Sequence, residues 1–295
     1  MKRILEVHQK YLSSWVLALT VLAALLLGPS QASATSILDS AAQSFAVLSA
    51  TVSSAHSDPN QPTQIYGNLG GTSVSGFPPG QVSGGTILDA SALTDATAAY
   101  NTLAGLSPTY NLTGLDLGGL TLTPGVYRFD SSAQLTGKLT LDFTGTPNAD
   151  LIYLGNPNAD FIFQIKSALT TASASSVDVI HGSSQSGVYW QVVSSATLGD
   201  DTMFAGNILA LASVTLDPRA KILCGRAFAL TGAVDGTDYL ISNNNTAQDF
   251  GSGRSDFGSH GFSGGAAPVP EPCTMLLLGG GLLGLTGLKR RNKKS

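Results

Sequence analysis

Five short tracts of this chain set a small or hydroxyl-bearing residue on each side of an apolar one: Ser131–Leu135, Ser167–Thr171, Ser194–Leu198, Ala212–Leu216 and Thr231–Asp235. Side chains alternate faces along a strand, so Ala133, Leu169, Ala196, Val214 and Val234 are expected to point inward. The flanking pairs Ser132/Gln134, Ala168/Thr170, Ser195/Thr197, Ser213/Thr215 and Ala233/Asp235 then point outward. Such groups break no bonds. Taken alone, such pairs read as solvated hydroxyls and methyls on strands, common on any secreted β protein.

Residue sets suited to bond-making are weaker. Cys224 lies in an apolar strand-like run and Cys273 in a hydrophobic tail, which leaves no disulfide framework and no CxxC metal or redox pair. Cys224 reads as a small buried hydrophobe. His56, His181 and His260 fall in a loop, at a strand end and in a Gly/Ser-rich stretch, and read as satisfied or solvated. Ser263 in "GFSGG" has the letters of a nucleophile elbow without the strand before it and helix after it that the elbow requires. The "GGGLLG" at Gly279 sits inside an apolar segment, where small residues serve packing. Pro147–Asp150 is repeated as Pro157–Asp160. A calcium solenoid would show a glycine-rich nonapeptide, and Asn, Pro and Asp are ordinary turn residues, so a duplicated turn is expected. No catalytic residue, metal or cofactor is expected, and the chain does not read as an enzyme.

Between Thr35 and Pro270 stand seventeen Asp, no Glu and seven basic residues (Arg128, Lys138, Lys166, Arg219, Lys221, Arg226, Arg254), a net of −10. Nucleic acid is thereby a poor partner. A surface so thin in charge does not steer ionic substrates and suits something neutral and extended.

Positioning the outward pairs requires a repeating β-architecture. Residues 36–55 suit a short helix turning into a strand, and Leu88–Leu103 a longer helix whose contact face is Leu88, Ala92, Ala96, Ala99, Tyr100 and Leu103. From Leu115 onward the pattern switches to period-two bursts such as "VYRF", "KLTLDF", "DFIFQI" and "VYWQVV", separated by turn residues. The tracts recur at offsets of 36, 27, 18 and 20 residues. These approximate one or two turns of a three-sided coil of about eighteen residues, allowing for insertions. Stacked coils would align the outward pairs as a ladder; a β-sandwich would not repeat the same outward chemistry tract after tract.

The ends read as addresses. Residues 1–34 carry Lys2, Arg3 and Lys10, an apolar run Trp15–Leu27 and the small residues Ala32, Ser33 and Ala34, the order of a secretory signal peptide. The run is too short to span a bilayer comfortably. Residues 35–248 form the main domain and 249–269 a Gly/Ser-rich flexible linker. Residues 270–295 hold Pro270, Glu271 and Pro272, an apolar stretch Cys273–Leu288 expected as a transmembrane helix, and a basic end that stays cytoplasmic. This arrangement resembles the PEP-CTERM sorting signal of Gram-negative bacteria. The resemblance implies an exosortase-type membrane peptidase, cleavage near the triplet, and release to the cell surface or matrix after transient anchoring.

Nine segments, "FAVLS" at Phe45, "IYGNLG" at Ile65, "SVSGFPPG" at Ser73, "DATAAYNTLAG" at Asp95, "LTPGVYRF" at Leu122, "FIFQI" at Phe161, "VYWQV" at Val188, "FAGNILA" at Phe204 and "GRAFAL" at Gly225, occur in order over residues 36–242. In that order and spacing the chain resembles the DUF3494-type ice-binding proteins of bacteria and fungi. The resemblance implies a mainly β fold: a right-handed, discontinuous, three-sided β-solenoid with one long α-helix packed alongside, and one flat sheet that adsorbs to ice. The expected contact residues are Ser132, Gln134, Ala168, Thr170, Ser195, Thr197, Ser213 and Thr215, with Ser73, Ser75 and Ala233 as outer candidates. Asp235 at an outward position and the duplicated Pro-Asn-Ala-Asp turn depart from the family pattern. The alternative reading is a matrix or adhesion solenoid that binds exopolysaccharide without affinity for ice. A glycan groove calls for aromatic platforms, and Tyr127, Tyr153, Tyr189 and Trp190 fall in strand bursts that read as buried.

Overall fold

The computed structural model describes residues 37–38, 40–87, 90–144, 160–182 and 186–243. The leader, the linker, the Pro270–Glu271–Pro272 tail, Tyr153, His260, Ser263, Gly279 and all of the Pro-Asn-Ala-Asp duplication except Asp160 lie outside the described residues. Among the described residues no helix is long and apolar enough to cross a membrane.

Every strand pairing is parallel, and the pairings sort into three ladders. The first stacks β10 (Ala133–Leu135), β13 (Leu169–Thr171), β16 (Ala196–Leu198), β18 (Val214–Leu216), the end of β19 (Lys221–Thr237), the second half of β1 (Phe45–Ala55) and β4 (Ser73–Ser75). The second stacks β7 (Tyr110–Asn111), β9 (Gly125–Phe129), β12 (Asp160–Ile165), β15 (Gly187–Val192), the end of β17 (Met203–Ala210), the middle of β19, the first half of β1, β3 (Asn68–Gly70) and β6 (Gly85–Ile87). The third stacks β8 (Thr121–Leu122), β11 (Lys138–Asp142), β14 (Ser176–Ile180), the starts of β17 and β19, β20 (Leu240–Ser242), β2 (Gln64–Tyr66) and β5 (Gln81–Val82). Successive coils pass through all three ladders, most by separate short strands and β1, β17 and β19 by running on from one ladder to the next, which makes a three-sided solenoid. Parallel strands joined by short turns rather than by crossover helices are the mark of such stacking.

Sharp corners keep the strands short. Between the first and third ladders, Ala174, Asp201 and Arg219 adopt φ of 56, 57 and 64° as the third residue of four-residue turns, and Asp238 takes 49° at the same corner. A left-handed non-glycine residue costs roughly 1–2 kcal/mol. Coil-to-coil hydrogen bonds hold these positions nonetheless: the Ala174 amide donates to Asp200 O at 2.7 Å and Asp201 to Pro218 O at 3.0 Å.

Inside the prism, inward residues stack in columns and Ala133, Leu169, Ala196, Val214 and Val234 are all fully buried, as the alternation predicts. Each buried Leu or Val contributes about 1.5–3 kcal/mol relative to exposure. Tyr127, Phe163 and Trp190 form a ring stack with centroids 5.3 and 3.9 Å apart, and Trp190 Nε1 donates to Ala205 O at 3.0 Å. Cys224 is a buried thiol. The aromatics expected to be buried, Tyr127, Tyr189 and Trp190, are so.

The second ladder is covered on its outer side too, which is why its strands read as nearly unbroken apolar runs. Helix α1 spans Ser40–Gln43 and α2 spans Ala90–Gly105, two residues beyond the predicted end, with Leu88 and Asp89 outside the described residues. The small face of α2 (Ala92, Ala96, Ala99, Leu103) packs on Ile162, Tyr189, Leu209 and Phe228. Gln164 Nε2 donates to the carbonyls of Leu103 and Leu106 at 2.8 and 2.7 Å, satisfying acceptors that a helix end leaves open. Arg226 is buried beneath α1. Its guanidinium donates to Gln43 O at 2.7 Å and Asn207 Oδ1 at 2.8 Å, and burial pushes its pKa down to about 10.

One sequence expectation is corrected. The offset of 36 residues, readable as two turns, is one coil, because Gln134 pairs directly with Thr170. The extra residues fall in sequence between β11 and β12, and a smaller excess between β14 and β15, and neither adds a rung. Chain order also differs from spatial order: β1 lies between β19 on one side and β3 and β4 on the other.

Candidate functional site

The outer side of the first ladder carries two columns of side chains. One runs Asp116, Gln134, Thr170, Thr197, Thr215, Asp235, Ser53, Ser75, each residue the direct Cα partner of the next. The register is set by the buried neighbours on either side, since a slip by one residue would turn Leu169 and Val214 outward. The other column holds Ser132, Ala168, Ser195, Ser213, Ala233, Thr51 and Ser73. All eleven residues expected at the site thus share one face.

Thr51 and Ser53 were not anticipated, and they supply the rung that joins Ala233 and Asp235 to Ser73 and Ser75. Their local sequence, Thr51-Val52-Ser53, has the same alternation as the five tracts, and Val52 is fully buried. Seven rungs from β10 to β4 span about 29 Å at the usual strand spacing. Gln134, Thr170 and Ser75 are exposed; Thr197, Thr215 and Ser53 are half-buried among their neighbours.

Several hydroxyls on the face are held by the backbone of an adjoining coil. Ser132 Oγ accepts from Ala168 N at 3.4 Å, Ser195 Oγ from Ser213 N at 3.4 Å, and Ser213 Oγ from Ala233 N at 3.2 Å. These contacts fix the serine rotamers, so the face is ordered before it meets a ligand.

Two charges interrupt the columns. Asp116 closes one end. Burial raises its pKa, but hydrogen bonds from Gly118 N and from the Thr136 hydroxyl and amide outweigh that and hold the carboxyl below its ordinary range. Asp235 sits between Thr215 and Ser53. Burial raises its carboxyl pKa and the nearby Asp217 adds to the rise, against a hydrogen bond from Thr215 Oγ1 at 3.5 Å.

Among the described residues no cluster of His, Cys, Asp or Glu is arranged to hold a metal ion. His181 Nδ1 lies 2.8 Å from Asp142 Oδ1 on an exposed corner, and His56 Nε2 2.7 Å from Gly76 O. Neither residue belongs to the two columns.

Residues 47–239 match the model of a family described as ice-binding-like, and residues 268–291 match the PEP-CTERM protein-sorting motif. An ice-binding protein of Nostoc sp. (strain HG1) is 48% identical over 206 residues, covering 68% of this chain and 72% of that relative. The crystal structure of an ice binding protein from an Antarctic biological consortium aligns with a TM-score of 0.62 and 35% identity, over 73% of this chain and 95% of that one. That of an ice-binding protein from the Antarctic ascomycete Antarctomyces psychrotrophicus aligns at 0.60 and 32% identity, over 70% and 97%.

Proposed function

Because the chain belongs to the ice-binding-like family, we propose that it adsorbs to ice through the two outward columns of the first ladder, slowing ice growth or recrystallisation. The observation that carries this reading is the register: Gln134, Thr170, Thr197 and Thr215 stand on successive rungs of one plane. Strands stacked ~4.7–4.9 Å apart repeat along one direction, a distance comparable to repeats in ice. Threonine methyls restrain water and hydroxyls anchor it. Each contact is weak, but a sheet whose side chains are already fixed loses little freedom on docking, so many contacts add.

Ser132, Ala168, Ser195, Ser213, Ala233, Thr51 and Ser73 form the second row of the proposed contact, and Ser53 and Ser75 extend the first. No step of this function makes or breaks a covalent bond. The PEP-CTERM match supports a secreted or surface-sorted protein. Our reading includes the leader at residues 1–34, the domain at 35–248, the linker at 249–269, and processing of the 270–295 tail by an exosortase-type peptidase after transient anchoring.

The test is freezing of the purified full chain in a nanolitre osmometer, beside a recrystallisation assay and a binding assay against matrix polysaccharide. Shaped crystals and a gap between melting and freezing are expected. Crystals that grow and coarsen as in buffer, together with glycan binding, would overturn the proposal in favour of an adhesive solenoid.

A further inference from the structure

The most informative residue on the face is the one that does not fit it. Asp235 occupies the rung between Thr215 and Ser53, in the same column as three threonines and two serines. Its Cα partners, Thr215 on one side and Ser53 on the other, hold it in line. The carboxylate is therefore fixed on the plane rather than turned off it. Thr215 Oγ1 points toward Asp235 Oδ1 at 3.5 Å, so the charge also engages a hydroxyl of the neighbouring rung.

A carboxylate organises its own hydration shell, with water protons directed at its oxygens. Ordered water of that geometry does not continue into a neutral lattice set by methyls and hydroxyls. We propose that Asp235 is an attenuator built into the face: it splits the ladder into a four-rung segment, Gln134 to Thr215, and a two-rung segment, Ser53 and Ser75, and so limits how tightly the whole face adsorbs. This rests on the ice-contact reading above and adds a determinant of its strength.

The charge is also removable. Among the described residues no cation offsets it: the titratable groups around it are Asp217, from the turn after β18, and Tyr239, which follows β19, while β1 presents Thr51 and Ser53. Burial and Asp217 both favour the neutral acid. A protonated carboxyl is an uncharged donor and acceptor, close to a hydroxyl in what it asks of water. Adsorption through this face thus strengthens as acidification protonates Asp235.

Thermal hysteresis of the full chain is measured at equal concentration for the native protein, Asp235→Thr, Asp178→Thr and Thr197→Tyr, at neutral and mildly acidic pH. Asp178 lies on the third face beside Lys138, 3.6 Å away, and its substitution controls for net charge alone. Asp235→Thr is expected to raise hysteresis at neutral pH about twofold or more, as the unbroken ladder grows from four rungs to seven and contacts add. It also abolishes most of the gain on acidification that the native protein shows. Asp178→Thr leaves hysteresis unchanged. If Thr197→Tyr abolishes activity while Asp235→Thr changes nothing, the attenuator is refuted and the contact face stands. If Thr197→Tyr has no effect, the face itself is misassigned and the attenuator falls with it. Circular dichroism and melting temperature confirm that each variant folds.

Discussion

Replacing Thr197 and Thr215 by tyrosine together is the sharpest test of where this protein touches its ligand. The two are direct partners on adjacent strands, two of the three successive threonines in their column. Both side chains are half-buried between neighbours and point away from the core, and the residues beneath them, Ala196, Leu198, Val214 and Leu216, are unaltered. Tyrosine is also a good strand residue, so the fold tolerates it. Two rings standing off the plane lift a flat surface from Thr197 and Thr215 and from their row neighbours Ser195 and Ser213. At about 0.5–1 kcal/mol per net contact, the four positions remove roughly 2–4 kcal/mol of adsorption free energy. That is on the order of thirtyfold to a thousandfold weaker adsorption. Hysteresis and crystal shaping are expected to vanish at concentrations where the native protein is active, while the melting temperature stays within a few degrees. Thr140→Tyr, on the third face between Thr121 and Asp178, serves as the control and retains activity. Full activity in the double variant with the fold intact would refute the assignment of the face.

Asp160 opens β12, and burial pushes its carboxyl up to about 6 against a hydrogen bond from Gly187 N. With the folded value above the unfolded one, stability is fully present below about pH 4 and is lost as pH rises through about 6. The loss is on the order of 2–3 kcal/mol at neutral pH. Asp160→Asn is expected to melt higher than the native chain at pH 7 and to converge with it near pH 4; equal melting curves throughout would contradict this. Leu169→Ala opens a cavity directly beneath Thr170, where Leu169 is fully buried. It is expected to cost about 2–5 kcal/mol by denaturant unfolding, and a cost below roughly 1 kcal/mol would show that the column is not packed as described.

The face was legible where its strands follow one another in sequence. Ser195/Thr197 and Ser213/Thr215 lie eighteen residues apart, one coil with short corners, and their alternation alone places Ala196 and Val214 inside. It was not legible where the coil order breaks. Thr51 and Ser53 pair with Ala233 and Asp235, more than 180 residues downstream, and nothing local to "SATVSSA" announces that partner. The corners were hidden for another reason. Left-handed turns usually advertise themselves by glycine, and here Ala174, Asp201, Arg219 and Asp238 fill them, held by hydrogen bonds from the coil above. The helix was readable from its alanine spacing, but its extension to Gly105 depends on Gln164 receiving the chain end.

The placement of β1 has a consequence for how the molecule comes into being. Its far edge is completed by β19, which ends at Thr237, so the first strand synthesised must wait for nearly the last before both of its edges are satisfied. Pairings of such sequence separation form slowly. A growing chain displays at most a partial face; Thr51 and Ser73 join the others only when the tail end of the domain has been made. Maturation of the surface is therefore coupled to completion of the whole domain, and a chain cut short before Lys221 leaves one edge of its first strand unpaired.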